Sequence, residues 1–368
     1  MLASNTDTLV VLTILAVRFI VPLFIPRFPL PAILICLVVD AADQSILQQL
    51  TDLELTNYQS LDKALDIYYL AIAYLSVYRN WTNPFAVGIA QFLWYYRLVG
   101  VLLFEVFDQR WLLVVFPNTF EYFFIAYCVI QTRWDPRRVI NRRMIELAAF
   151  IWIFIKLPQE WWIHIAQNDF TDFMKETVFG VDPSSSWSDA FSNRPGVLIA
   201  ILLVIVGLIV AAVKLRHRLP TADWTFGLDM DRTDAIVRPV ETVSVSLRAT
   251  VLEKLALIGL IGAIFANVLD LDTTAAQVVG ATLLVVLVNA GLSIRLARRG
   301  VEWESLALEF VVLAAANSVL LGTYSAIVGD DDVGLPTVLF FGLLLTVLIV
   351  LFDRFRPATT VAVTATTI

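Results

Sequence analysis

An apolar segment at residues 145–173 carries three ionisable side chains at four-residue spacing, Lys156, Glu160 and His164. Residues four apart share one face of a helix, so these side chains would form a polar stripe. Pro158 lies between the first two and predicts a kink, because proline cannot donate a backbone hydrogen bond. Charge inside an apolar helix is costly and marks a functional candidate by default.

The chain as a whole has the composition of a membrane protein. Apolar residues make up 59% of the 368 residues and charged residues only 16%, and the mean hydropathy is +0.78. Soluble domains carry about a quarter charged residues. Apolar runs of roughly 20 residues recur, as helical membrane spans require, without the alternation typical of a membrane β-barrel. We therefore predict an all-α fold, a polytopic integral membrane helix bundle.

We predict about 11 transmembrane helices in this bundle. Their approximate ranges are 7–24, 28–43, 62–78, 84–106, 111–131, 145–166, 196–213, 249–269, 275–294, 304–326 and 336–353. With the N-terminus outside, 18 of the 26 lysines and arginines fall in inside loops or the tail and three in outside loops, as the positive-inside rule requires. The predicted topology is N-terminus outside and C-terminus cytoplasmic, in a multi-pass protein of the cell (plasma) membrane. A re-entrant second span, opened by Pro29 and Pro31, is an alternative.

Charge within the predicted spans divides the chain into halves. Most of it lies in the first six spans, so the second half is expected to act as a scaffold or as an oligomer contact. The predicted division is 1–195 for the N-terminal six-helix half with the polar site, 196–213 for a seventh span, 214–248 for a cytoplasmic linker, 249–356 for the C-terminal four-helix half and 357–368 for a flexible tail.

Seven carboxylates and a histidine are expected to meet at similar depth, towards the outside. The candidate residues for binding a coupling ion or substrate are Asp40, Asp43, Asp62, Asp66, Arg97, Glu105, Asn118, Glu121, Lys156, Glu160 and His164. Arg97 and Lys156 are expected to neutralise part of this cluster. Arg18, in the first span, either snorkels inward or contributes to the site. A single pair such as Arg97 with Glu105 also fits a purely structural ion pair.

Cofactor motifs are mostly excluded. The only histidines, His164 and His217, lie in different regions, which argues against bis-histidine haem and excludes a three-histidine zinc site. The sequence has no phosphate-binding glycine loop, GxSxG elbow or HExxH motif. No cofactor is identifiable from the sequence, but binding of a divalent metal is possible. Its possible ligands are Asp62, Asp66, Glu160 and His164.

Three functions fit these features, and whether the protein is an enzyme is left open. The first is a proton- or cation-coupled transporter with an outward-facing, carboxylate-rich site in spans two to six. The alternative is a membrane-embedded enzyme acting from the outer face on a lipid-linked or phosphorylated substrate. The third is a noncatalytic membrane assembly protein. The expected partners are the lipid bilayer and a small solute, ion or lipid-linked substrate, with no nucleic acid and with oligomers possible through the C-terminal half.

Overall fold

The computed structural model of the chain describes residues 5–51, 58–168, 170–216, 228–230, 247–269, 275–298, 306–328 and 334–356. Their regular secondary structure is helical and includes no strand, which confirms the predicted all-α fold. Six helices are long and apolar enough to cross a membrane: Pro84–Phe107, Trp111–Gln131, Pro195–Leu215, Ala249–Val268, Leu308–Ile327 and Leu335–Phe355. The finer count of about 11 spans stays a prediction.

The N-terminal helices have the following bounds. They are α1 Asn5–Ile20, α2 Pro29–Leu50, α3 Tyr58–Asn80, α4 Pro84–Phe107, α5 Trp111–Val115, α6 Thr119–Gln131, α7 Asn141–Phe150 and α8 Leu157–His164. A π-helix, Ile151–Lys156, joins α7 to α8. The second predicted span is thus one continuous helix that runs past the predicted end at residue 43.

The remaining helices are listed here in chain order. They are α9 Phe170–Phe173, α10 Trp187–Asn193, α11 Pro195–Arg216, α12 Leu247–Val268, α13 Ala275–Arg298, α14 Leu306–Val328 and α15 Leu335–Phe355. Within the predicted linker, Asp229 forms an ion pair of 3.0 Å with Arg27. The predicted tail, 357–368, lies outside the described residues.

Helix α3 lies at the centre of the bundle. It packs against α1, α2, α4, α12 and α15, and so joins the two halves of the chain. Its side chains from Ala71 to Leu75 are fully buried. An α-helix rises about 1.5 Å per residue, so polar groups at the two ends of α3 are well separated along the bundle.

Between α5 and α6 the helix is interrupted at residues 116–118, where Pro117 lies in the apolar run. Helix α4 passes close to this break, and a Cβ atom placed on Gly100 would lie 2.1 Å from the Cβ of Phe116. Only glycine allows such an approach. Pro117 therefore interrupts a helix inside the bundle, and Gly100 on α4 leaves the space that Phe116 occupies at the interruption.

Candidate functional site

A single arginine lies among four aspartates contributed by two neighbouring helices. Arg18 Nη2 is 2.6 Å from Asp40 Oδ1 and 2.7 Å from Asp66 Oδ1. Its Nη1 is 2.7 Å from Asp62 Oδ1 and also contacts Asp43. The side chains of Arg18 and Asp43 are only 3% and 2% exposed. We call these five residues the acid cluster.

The spacing of the aspartates explains how two helices form this cluster. Asp40 and Asp43 are three residues apart on α2, and Asp62 and Asp66 are four apart on α3. Each pair therefore lies on one helix face. The guanidinium offers five donors in a planar fork, so one side chain can bind carboxylates from both helices.

The acid cluster has more negative than positive groups. One guanidinium faces four carboxylates, and ligand oxygens of Asp40, Asp62 and Asp66 lie within 4.8 Å of one another. Carboxylates crowded in this way cannot all stay ionised without further positive charge. The cluster can therefore bind protons or a cation. Within the described residues the carboxylate trio differs from the metal set predicted from the sequence, because Asp40 belongs to it and Glu160 and His164 do not.

A second polar group, which we call the glutamate cluster, lies on α6, α8 and the π-helix. Glu160 accepts a hydrogen bond of 3.1 Å from the backbone N–H of Asn118 and is 3.0 Å from His164 Nε2. Glu121 accepts a bond of 2.9 Å from the Asn118 side chain and lies 3.9 Å from Lys156 Nζ. All these residues are buried except His164, whose side chain is 12% exposed.

The interruption before α6 and the π-helix before α8 both position residues of the glutamate cluster. Pro117 ends the helix upstream, so α6 starts at Thr119 with the Asn118 N–H available for Glu160. Pro158 has no N–H, and the helix before it widens into the π-helix, where Leu157 N–H bonds to the Trp152 carbonyl five residues back. The sequence predicted a kink at Pro158, and the structure has a π-helix, Ile151–Lys156, directly before the helix that contains this proline.

Tyr69 connects the two clusters. It lies three residues after Asp66 on α3, and its hydroxyl donates a hydrogen bond to Glu121. The tyrosine is 3% exposed. We call the acid cluster, the glutamate cluster and Tyr69 together the polar layer. Its side chains come from α1, α2, α3, α6, the π-helix and α8.

Two predicted site residues lie at the edge of this layer. Arg97 donates a bond of 3.0 Å to the Phe116 carbonyl at the break before α6, and Asn267 on α12 donates one of 3.2 Å to Glu105. The four aspartates have Arg18 as the cation they share, while Lys156 lies beside Glu121 in the glutamate cluster. The predicted site began at span two, whereas in the structure the first helix supplies its central residue.

The sequence analysis missed a polar network at the opposite end of α3. Glu253 on α12 accepts hydrogen bonds of 2.5 Å from Tyr74 and 3.0 Å from Tyr78. Arg356 Nη2 lies 2.6 Å from Glu253, and both side chains are nearly buried. Tyr74 is eight residues beyond Asp66, or about 12 Å along the helix. Tyr74 and Tyr78 are four residues apart, but Glu253 and Arg356 are more than 170 residues further along the chain, so no local pattern could reveal the network.

No family model, curated protein or solved structure matches this chain.

Proposed function

We propose that the protein is a polytopic membrane protein of the plasma membrane with about 11 spans, its N-terminus outside and its C-terminus in the cytoplasm. The contacts at one end of the bundle support this topology. Arg79 donates a bond of 2.6 Å to the Pro26 carbonyl, and Arg356 contacts Tyr78. These contacts bring together the turn after α1, the end of α3 and the end of α15 at one end of the bundle. The positive-inside rule assigns such an arginine-bearing end to the cytoplasm.

Its proposed activity is proton- or cation-coupled transport of a small solute. The single observation that carries this proposal is the crowding of four aspartates around one arginine between α1, α2 and α3. Ionisable groups at this depth are expensive and are typical of ion and proton pathways. The interrupted helices beside the layer support the same function, since transporters bind their ions where spanning helices are broken.

The polar layer also suggests a direction for proton movement. His164 is its most exposed member in the glutamate cluster, and it contacts Glu160. Asn118 links Glu160 to Glu121, which accepts from Tyr69 on the helix that carries the acid cluster. Protons would enter at Asp40 and Asp62, whose side chains are 26% and 32% exposed against 12% for His164. The Asn118 amide groups only donate and cannot relay a proton, so the hydrogen-bonded route through Tyr69 and Asn118 would couple proton uptake at the aspartates to the charge of the glutamate cluster.

Flux measurements test the proposal. Purified protein in liposomes should move protons or Na⁺ down an imposed gradient, and Asp66→Asn and Glu160→Gln should each reduce that flux at least about tenfold because each removes a carboxylate of the polar layer. Asp353→Asn and Glu146→Gln are matched controls, since these carboxylates are part-exposed partners of Lys254 and Arg142. Absence of flux in the wild type, or equal flux in all four variants, would refute coupled transport.

Tyrosine substitutions test the connection between the clusters. Tyr69→Phe removes the hydroxyl that donates to Glu121 and should slow proton flux. Tyr127→Phe is the matched control, because Tyr127 is equally buried but its hydroxyl lies beside Thr82 and Asn83, away from the polar layer. Equal flux from the two variants would remove Tyr69 from the route.

The carboxylate trio favours one alternative, a metal-dependent membrane enzyme acting from the outer face on a lipid-linked or phosphorylated substrate. Oxygens of Asp40, Asp62 and Asp66 are close enough to share a divalent cation. Calorimetry with Mg²⁺ or Mn²⁺ alone tests this function. Metal binding by the wild type that Asp62→Asn and Asp66→Asn abolish would favour the enzyme, and binding that persists in both variants would exclude those two residues as ligands.

A further inference from the structure

The segment between α6 and α7 carries a concentration of positive charge. Residues 133–146 contain five arginines and only two acidic residues, a net charge of +3. Arg137, Arg138 and Arg142 have side chains that are 50%, 70% and 86% exposed. This end of the bundle is the one that also holds Arg79 and Arg356, because Asn83, just after α3, donates a bond of 3.0 Å to the Pro136 carbonyl.

A cavity of about 390 Å³ opens beside these arginines. Its walls are residues 82–85, which connect α3 to α4, together with Arg137, Val139 and Asn141. Binding pockets for small molecules start at roughly 300 Å³. The cavity is therefore large enough for a phosphate group and the small alcohol esterified to it.

Arg137 is held in a fixed position at this cavity. Its Nε and Nη2 atoms donate bonds of 2.9 Å each to the two carboxylate oxygens of Asp135. These hydrogen bonds lower the pKa of Asp135, which stays ionised at neutral pH. A guanidinium that is pre-oriented but still half exposed is suited to binding a phosphate.

Two further features of the walls favour an anion. Thr82 lines the cavity, and its hydroxyl oxygen is buried beside the Tyr127 side chain. A hydroxyl can rotate to donate to a bound oxygen. Helix α7 begins at Asn141, and no side chain caps its N-terminus. Uncapped backbone N–H groups and the helix dipole both favour negative charge there.

An apolar surface leads away from the cavity along α7 and the π-helix. Ile145, one turn after Asn141 of the cavity wall, is 53% exposed, and Phe150 and Phe154 further along the helix are 54% and 68% exposed. Apolar side chains exposed in this way match acyl chains better than water. A ligand with a phosphate at the cavity and hydrocarbon along α7 has the chemistry of a phospholipid.

From these observations we propose that the cavity binds the phosphate of an anionic phospholipid, held by Arg137, Thr82 and the N-terminus of α7. The proposal is independent of the transport function, since it concerns binding at the arginine-rich end and not the polar layer. Free phosphate shares the chemistry of the head group, and lipid is favoured by the apolar path along α7.

Thermal unfolding of the full chain in detergent tests the proposal, because a ligand that binds the folded state raises the unfolding temperature. Phosphatidylglycerol should raise the midpoint at concentrations where phosphatidylcholine with the same acyl chains does not. Arg137→Gln and Thr82→Val should each shift the required lipid concentration upward, by roughly tenfold or more for the arginine. Arg142→Gln is the matched control, since Arg142 is exposed in the same basic segment but does not line the cavity.

Each outcome of this experiment has a defined meaning. An equal shift for Arg137→Gln and Arg142→Gln would mean diffuse attraction to the basic surface and would overturn the proposal. Inorganic phosphate as effective as phosphatidylglycerol would overturn the lipid assignment. If Arg137→Gln does not fold, Thr82→Val decides, because it removes a hydroxyl from the cavity wall without removing a charge. An unchanged lipid response in that variant would then reject the site.

Discussion

Replacing Arg18 with glutamine should destabilise the protein more than any single aspartate substitution in the acid cluster. The guanidinium is 3% exposed and contacts four carboxylates, so its removal leaves every one of them without its cation. Breaking a buried ion pair by removing one partner costs about 3–5 kcal/mol. Because the partners here are partly exposed, up to 32% at Asp62, we expect a loss within that range and not a multiple of it.

The free energy of unfolding, measured by denaturant titration in mixed micelles, provides the assay. Arg18→Gln combined with Asp43→Asn removes the cation together with the most buried carboxylate, so the double variant should be more stable than the sum of the two single effects predicts. The coupling energy between contacting residues of this kind is about 0.5–3 kcal/mol. Arg142→Gln is the control for losing an arginine, because Arg142 is 86% exposed and forms a helical surface pair worth about 0.3–0.5 kcal/mol.

Two results would refute this reasoning. A loss below about 1 kcal/mol for Arg18→Gln would mean that the aspartates are neutralised without the arginine. Strict additivity of Arg18→Gln and Asp43→Asn would mean that the two side chains do not interact in solution. Either result would also weaken the transport proposal, which depends on the same unbalanced charge.

Two further substitutions test the packing and the second network. Gly100→Ala should lower the unfolding free energy by about 1–3 kcal/mol, because the new methyl group overlaps Phe116. Gly88→Ala in the same helix is the control, since its methyl group meets no atom within 4 Å and should be neutral or stabilising. A neutral Gly100→Ala would contradict the close approach between α4 and Phe116. Glu253→Gln should cost about 3–5 kcal/mol through loss of its buried pair with Arg356. Glu146→Gln, at a carboxylate 57% exposed whose partner Arg142 is 86% exposed, should cost at most about 1 kcal/mol. Similar values for the two carboxylates would show that burial does not decide the energy at this end.

Features encoded locally were predictable from the sequence. The helices fall where apolar runs occur, since run length and proline positions are read from consecutive residues. The height of a side chain along a helix also follows from its number, which is why Asp66, Glu121 and Glu160 could be placed at similar depth. The helical fold needed only this information.

Features that depend on how the helices are rotated against each other were not predictable. Arg18 lies on a helix whose sequence permits either snorkelling or pairing, and only the packing of α1 on α2 and α3 selects pairing. The separation of Glu160 from the aspartates has the same origin. Tyr74 and Glu253 are 179 residues apart, so their contact requires the tertiary fold. Arg18 could have been assigned to the site from the sequence, because a single cation in an apolar helix requires carboxylates nearby.

The antiparallel packing of α1 on α2 has a consequence for how the chain enters a membrane during synthesis. An arginine inside a span costs up to about 2.5–3.5 kcal/mol to insert on the translocon scale. Under the proposed topology Arg18, in the last turn of α1, emerges before any of its partners. The turn at residues 25–28 brings Asp40 and Asp43 back to it within the next helix. The first two helices therefore form a charge-compensated hairpin suited to insertion as one unit, and α1 on its own would carry an unpaired arginine into the lipid.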